Sequence, residues 1–263
     1  MDIRRLSDAI TLHVAERHVA VVTIDRPSAR NAVNGQVAAG LARAISETES
    51  SGDLWVIVLT GAGTRAFCAG ADLKEVAAGR MGALMTADGG FAGFVHAPRT
   101  KPWIAAVNGM AVAGGFEIAL ACDMIVASED AQFGLPEVKR GLVAAAGGLY
   151  RLPRVLPRQL AAELIATGGN LAAQKAYDFG IVNRIAPAGS AIGPALQLAA
   201  EICGNAPIAV RESLFIVRQS LDLTDPALRE LSERAQDRIM LTEDFKEGPL
   251  AFIEKRSPEW TGR

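Results

Sequence analysis

Two acidic residues stand out for the chemistry they could do. Glu117 is the only charged side chain between Lys101 and Asp123, set among Phe116, Ile118, Ala119 and Leu120. A carboxyl group in such a stretch is partly stripped of water, and desolvation moves it towards general acid–base duty at neutral pH. It follows the glycine pair Gly114-Gly115 by one turn. Glycines opening an apolar helix leave a backbone N–H at the positive end of the helix dipole, where Gly114 can meet developing negative charge. An acidic residue near a helix start is also common for dipole reasons alone, and the apolar neighbours are what tilt Glu117 towards function. Glu137 closes Phe133-Gly134-Leu135-Pro136-Glu137, ahead of the glycine-bounded run 141–148 (GLVAAAGG). Alone it reads as a solvated turn residue or helix cap; with Glu117 it could complete an acid–base pair.

A third segment, Ala69-Gly70-Ala71-Asp72-Leu73-Lys74, is built from residues small enough for backbone to approach a ligand and present free N–H groups to an oxyanion. By spacing alone it is equally an ordinary tight turn. Gly61-Ala62-Gly63-Thr64-Arg65-Ala66 has the letters of a dinucleotide fingerprint, but that motif needs a helix next and an acid closing the following strand. Phe67-Cys68-Ala69-Gly70 follows instead, and Arg80 lies near where the acid should be, so a nicotinamide enzyme is disfavoured. His13, His18 and His96 are scattered without metal-ligand spacing, and no serine sits in a nucleophile elbow. Neither a metal site nor a hydrolase triad is expected.

The elements that must position these residues follow from periodicity. Residues 9–16 and 18–25 read as strands, and 33–48 as a helix with Val37, Leu41, Ala44 and Ile45 on one face. Residues 55–60, 103–107 and 124–127 are short continuous apolar runs, the mark of buried strands, with a short helix over 115–122. Strand, helix, strand in succession predicts parallel sheet with crossover helices. Beyond about residue 148 the pattern turns helical: 160–167, 171–179, 192–203, 208–221, 226–241 and 245–255. The chain therefore divides into an α/β core over 1–200 and a helical part over 201–263. Residues 76–95, with five glycines and weak periodicity, are expected to form a mobile segment over a site.

The bulk numbers exclude other classes. The 263 residues are half apolar with a net charge of −2, which gives no basic surface for nucleic acid and no polybasic stretch for a membrane. Cys68, Cys122 and Cys203 are too sparse for a disulfide framework or a zinc site. With no apolar leader at the N-terminus, a cytoplasmic location is expected.

Taken together, the segments resemble the enoyl-CoA hydratase/isomerase (crotonase) family. The carriers are Arg26-Pro27 with Arg30-Asn31-Ala32, then 66–74 (AFCAGADLK), 101–109 (KPWIAAVNG) leading to Gly114-Gly115-Phe116-Glu117, Cys122-Asp123, 133–137, Gly147-Gly148 and 247–256 (EGPLAFIEKR). They run in the family's order over nearly the whole chain. The resemblance implies an α/β fold, a spiral of ββα units with a helical C-terminal trimerisation domain, assembled as a homotrimer or hexamer. It implies an acyl-CoA thioester substrate and no cofactor beyond the coenzyme A that the substrate carries. Ala71 and Gly114 match the oxyanion-hole donors, and Glu117 and Glu137 the two acids of a hydratase. Glu117 would take the proton of water as it adds at Cβ, and Glu137 would supply the proton to Cα. Arg30, Ala69, Asp72 and Leu73 match substrate-binding positions. Phe252 matches a pocket aromatic, and Lys255 a lysine that reaches CoA phosphates across a subunit interface. Phe116 and the ending 247–263 resemble the carnitinyl-CoA dehydratase branch, while Ala144-Ala145-Ala146 stands where many hydratases carry Pro-Gly. An enoyl-CoA isomerase, needing one acid, is the alternative activity.

Overall fold

The continuous apolar runs form strands that are covered on both faces. In the computed structural model, which describes residues 3–263, the first half of the chain consists of β1 (Ile3–Ser7), β2 (Ile10–Glu16), β3 (Val19–Ile24), α1 (Gly35–Ser50), β4 (Val56–Gly61), β5 (Ala66–Cys68), α2 (Leu73–Ala77), β6 (Met85–Thr86), β7 (Gly90–Phe91), β8 (Trp103–Val107), β9 (Met110–Val112), α3 (Gly114–Leu120), β10 (Met124–Ser128) and β11 (Gln132–Gly134). The second half adds α4 (Gly148–Val155), α5 (Arg158–Thr167), β12 (Asn170–Ala172), α6 (Ala173–Asp178), β13 (Arg184–Ala186), α7 (Ile192–Cys203), α8 (Pro207–Gln219), α9 (Asp225–Met240) and α10 (Glu243–Glu254).

Seven strands make one sheet in the order β1-β2-β3-β4-β8-β10-β13, antiparallel at the β1–β3 end and parallel from β3 to β13. Alternate residues of each central strand enter two different cores. Ile57 and Leu59 of β4 join Trp103 and Ala105 of β8 on one side. Val56, Val58, Ile104 and Ala106 face the other, under Ala195 and Ala199 of α7. Two-sided burial is why these strands read as unbroken apolar runs without alternation.

A second sheet, β12-β11-β9-β5, carries the functional geometry. Each of β4, β8 and β10 in the large sheet is followed by a three-residue strand in this small one: β5, β9 and β11. The three short strands are parallel neighbours, so their C-terminal ends lie side by side. The turns leaving those ends are residues 69–72, residue 113 and residues 135–137. Three stretches far apart in sequence are thereby delivered to one edge, the usual place for a site on parallel strands.

Several expectations change. Residues 171–179 are not one helix: Leu171 pairs with Phe133 across β12 and β11, and the helix begins only at Ala173. Of residues 76–95 the later part packs, with Leu84, Phe91, Phe94 and Val95 in the main core and a hairpin pairing Met85 with Phe91, while residues 77–83 are exposed. Gly89, Gly90 and Gly93 serve close packing, since a Cβ on Gly93 would lie 2.4 Å from the Ala38 carbonyl oxygen, whereas Gly79 and Gly82 face open space. The Gly61–Ala66 stretch leads into the strand β5, not into the helix that a nucleotide-binding motif requires.

The C-terminal helices are pinned to the core by a half-buried clamp. Arg218 of α8 donates to both carboxylate oxygens of Asp123 (2.7 and 2.8 Å) and to the Arg99 and Lys101 carbonyls, and Asp123 accepts the Trp103 N–H at 2.8 Å. No helix among the described residues is long and apolar enough to cross a membrane.

Candidate active site

Two backbone turns meet first, at Ala71 and at Gly114. Val33 donates to the Gly70 carbonyl and Asp72 donates back to Val33, both at 2.8 Å. This parallel bridge engages the residues on either side of Ala71 and turns the Ala71 N–H away from it, towards the cavity. Across from it, Ala113 adopts φ 52°, ψ −133°, a conformation that costs a non-glycine residue on the order of 1–3 kcal/mol. That twist rotates the next peptide so that the Gly114 N–H, at the start of α3, is not spent on the preceding strand. A Cβ on Gly70 would lie 2.8 Å from the Gly114 nitrogen, and one on Gly115 1.9 Å from the Cys68 carbonyl oxygen. Only glycine at 70 and 115 lets the two turns close up. The turns at Ala71 and Gly114 therefore lie against each other, and both residues line one cavity.

Glu117 lies on α3 one turn beyond Gly114 and is 3% exposed. Its Oε1 accepts the Gly148 N–H at 2.9 Å. Gly148 opens α4, and Gly147 before it has φ 122°, which glycine alone adopts readily. The Gly147-Gly148 pair thus builds the turn that presents this donor. Burial pushes the Glu117 carboxyl up to about 7, against the N–H groups of Gly148 and Ala146, which favour the anion; nearby Glu137 pushes the same way as burial, and Arg151 opposes it.

Glu137 sits in the short helical turn Pro136–Arg140 and is 9% exposed. Burial raises its proton affinity, opposed by its own backbone N–H and by Arg140. Its Oε2 is buried with no hydrogen-bond partner among the described residues. A buried, unengaged carboxylate oxygen costs free energy unless something that enters the site uses it.

Both acids, Ala71 and Gly114 line one cavity of about 310 Å³. Its far walls are apolar: Met81, Met85 and Phe91 from one side, Leu142, Val143 and Ala145 from the other. It opens through Ala69, Ala71, Leu73 and Val112 into a wider cleft of about 910 Å³ that holds Arg26, Arg30, Lys74, Lys139 and Arg140. One end is apolar and carries the acids, and the other is cationic.

Of the expected binding residues, Arg30, Ala69, Asp72 and Leu73 line the cleft. Asp72 has further work: it pairs with Arg26 at 3.0 Å and caps α2 through the Lys74 N–H. Phe252 and Lys255 are not brought to the site within the chain. Phe252 is 85% exposed on α10, and Lys255 follows that helix as its left-handed C-cap, φ 55°, so the two do not share a continuous helix face. Sequence reasoning passed over Met81, Met85, Phe91, His96 and Arg140 as lining residues. The first four lie in the segment read as mobile or just after it, and no periodicity marks them. Arg140 was legible only as a charge three residues after Glu137.

The arrangement is that of an enzyme that steadies a negative oxygen and moves protons beside it. Known proteins give the class. The enoyl-CoA hydratase/isomerase family matches residues 15–263. Carnitinyl-CoA dehydratase of Proteus mirabilis is 40% identical over 259 residues, covering 96% of this chain and 99% of its own. Mevalonyl-coenzyme A hydratase of Beauveria bassiana is 44% identical over 260 residues, covering 92% of this chain and 91% of its own. The crystal structure of enoyl-CoA hydratase from Mycobacterium tuberculosis H37Rv superposes with a TM-score of 0.92 at 42% identity, covering 97% of this chain and 99% of that one. The chain belongs to the enoyl-CoA hydratase/isomerase family and has the crotonase fold.

Proposed function

We propose that the chain is an enoyl-CoA hydratase, adding water across the 2,3-double bond of an acyl-CoA thioester. The observation that carries this reading is the pair of desolvated acids, Glu117 and Glu137, in one cavity beside the Ala71 and Gly114 N–H groups. The thioester oxygen takes up enolate charge between those donors, each worth about 3–4 kcal/mol in the transition state. Water sits between the acids. Glu117, balanced near neutrality by burial and its N–H partners, accepts the water proton as oxygen attacks Cβ. Glu137, held protonated more readily than a free carboxylate, delivers a proton to Cα. The reverse sequence dehydrates. None of these steps calls for a metal or redox cofactor. An isomerase needs one acid only, and the presence of Glu137 in the cavity wall favours hydration over that activity.

The cationic cleft suits the phosphates of coenzyme A, with Arg30 at its rim and Ala69, Asp72 and Leu73 along the passage to the acids. Phe252 and Lys255 would complete this site from a neighbouring subunit of a homotrimer or hexamer, with residues 201–263 as the oligomerisation part. Phe252 and Ile253, 85% and 75% exposed, are the apolar surface such assembly would cover. A place in cytoplasmic fatty acid or related acyl-CoA metabolism goes with this chemistry and with three free cysteines.

A spectrophotometric panel tests the reading. Loss of enoyl-thioester absorbance is expected with crotonyl-CoA or a longer homologue. Turnover of crotonobetainyl-CoA alone would assign the chain to the carnitinyl-CoA dehydratase activity that its Proteus relative is named for. No absorbance change with any of them overturns hydration.

A further inference from the structure

Arg151 is a half-buried cation that the chemistry above does not use. It lies on α4, three residues after Gly148, and its guanidinium turns back over the helix start. Nη2 donates to the Val95 carbonyl at 2.6 Å and Nη1 to the Ala146 carbonyl at 3.1 Å. No carboxylate lies within 4 Å of it among the described residues. A desolvated cation without an ion-pair partner is costly, so its two targets are informative. Val95 ends the segment that supplies Met81, Met85 and Phe91 to the cavity. Ala146 ends the loop that supplies Leu142, Val143 and Ala145. One side chain therefore ties both apolar walls to α4.

The same contacts bear on Glu117. Gly148 donates to Glu117, and the nearby Ala146 N–H also favours its anion, while the Ala146 carbonyl is taken by Arg151. The Gly147 backbone passes directly under the guanidinium, for a Cβ there would lie 2.0 Å from Nη1. The turn is thus held from one side by Arg151 and offers its donors to Glu117 on the other.

We propose that Arg151 is the positioning residue of Glu117: by clamping the Val95 and Ala146 carbonyls it fixes the turn at 146–148 whose N–H groups hold the acid. The proposal rests on Glu117 being the base of the hydratase reading. Other charged or titratable groups around this assembly are Glu137 and His96 in the cavity wall, Arg140 beside Glu137, and Tyr150, Arg154 and Cys122 beside Arg151. Only Arg151 both bonds to the turn and opposes protonation of Glu117.

The experiment compares Arg151→Met and Arg151→Lys with the parent chain, scoring kcat, KM, the pH profile of kcat/KM, and the carboxyl titration of Glu117 by carbon NMR. Arg151→Met is expected to lose on the order of 10²-fold in kcat, the scale for a small misplacement of a reacting group, with KM within about threefold because CoA contacts are untouched. The Glu117 titration and the acidic limb should both move to higher pH. Arg151→Lys should restore the limb but only part of kcat, since a point charge cannot bridge two carbonyls. An unchanged kcat and unchanged Glu117 titration in Arg151→Met overturns the proposal. If that variant does not fold, Arg151→Lys decides alone, and parental kcat in it overturns the clamp. The titration needs no turnover, so an inactive parent would overturn the hydratase reading while leaving the clamp to be judged by Glu117.

Discussion

The Glu117 Oε1 and the Gly148 N–H meet at 2.9 Å, so one acid of the site is also the anion at the start of α4. Two effects oppose each other there. Burial favours the neutral acid, and the helix-start donor favours the anion. Burial wins, leaving the group near 7 rather than 4.5.

The first prediction follows from that balance. As a base, Glu117 must be deprotonated, so kcat/KM should fall as pH drops through about 7, and because Glu137 must carry the proton it delivers to Cα, kcat/KM should fall again at higher pH. Stability should run the other way. The folded chain holds this proton more tightly than the unfolded chain, whose glutamate titrates near 4.5. The associated stability is complete below about 4.5 and is lost as pH rises through about 7. Glu117→Gln keeps an oxygen for Gly148 but carries no charge. It should match the parent in thermal stability near pH 4.5 and exceed it at pH 8, by on the order of 3 kcal/mol at ~1.4 kcal/mol per pH unit, while losing ~10²–10⁴ in hydration rate. A variant no more stable than the parent at pH 8 would place Glu117 in a better solvated site.

The second prediction concerns Glu137. Its unpartnered Oε2 implies an engagement made only when substrate and water are bound. Glu137→Gln should cut kcat by ~10²–10⁴. Combined with Glu117→Gln the losses should not multiply, because the two acids act on one water as a unit. Near-parental turnover in either single variant removes the two-acid mechanism.

The third prediction separates a donor from the space around it. Gly114→Ala keeps the N–H, but its Cβ would lie 2.4 Å from the Phe91 ring, so the ring must shift and KM should rise. Gly114→Pro removes the N–H itself. Turnover should be abolished in the proline variant and retained in part by the alanine variant, both checked for folding by circular dichroism. Intact kcat in a folded Gly114→Pro enzyme strikes this donor from the oxyanion site.

Much of this was legible because buried strands and helix starts leave local marks. The runs at 55–60 and 103–107 announce two-sided burial, and Gly114-Gly115-Phe116-Glu117 announces a helix start with an isolated acid. The small sheet left no such mark. β5, β9 and β11 are three residues each, shorter than any window in which periodicity can be read, so the neighbourhood of residues 71, 114 and 137 came through family resemblance. The segment 76–95 misled for a physical reason. Gly89, Gly90 and Gly93 are there for close approach, as at Gly93 against Ala38, and glycine-rich sequence reads as mobile when the partner surface is out of view. Leu171 likewise belongs to a strand because Phe133 pairs with it, which local propensity cannot register.

The last prediction uses the backbone at Lys255. This residue holds a left-handed conformation, φ 55°, where glycine is favoured and a β-carbon carries strain. Its N–H closes the C-terminus of α10 onto the carbonyls of Ala251 and Phe252. Lys255→Gly should therefore keep the cap, with relief of the left-handed strain offsetting glycine's entropic cost so that stability stays close to the parent's, and any loss of function belongs to the amine. If that amine serves CoA phosphate in a neighbouring subunit, KM should rise several-fold with kcat preserved, because a contact equal in ground and transition states sets binding alone. The rise should shrink at high salt, since an exposed contact to phosphate is screened over about 10 Å at 0.1 M ionic strength. Dilution that separates the subunits should raise KM in the parent chain at least as much, and in Lys255→Gly only by what the loss of Phe252 adds. Unchanged KM at low ionic strength would confine Lys255 to its place as a helix cap, and would leave the CoA site to Arg26, Arg30, Lys74, Lys139 and Arg140 of one chain.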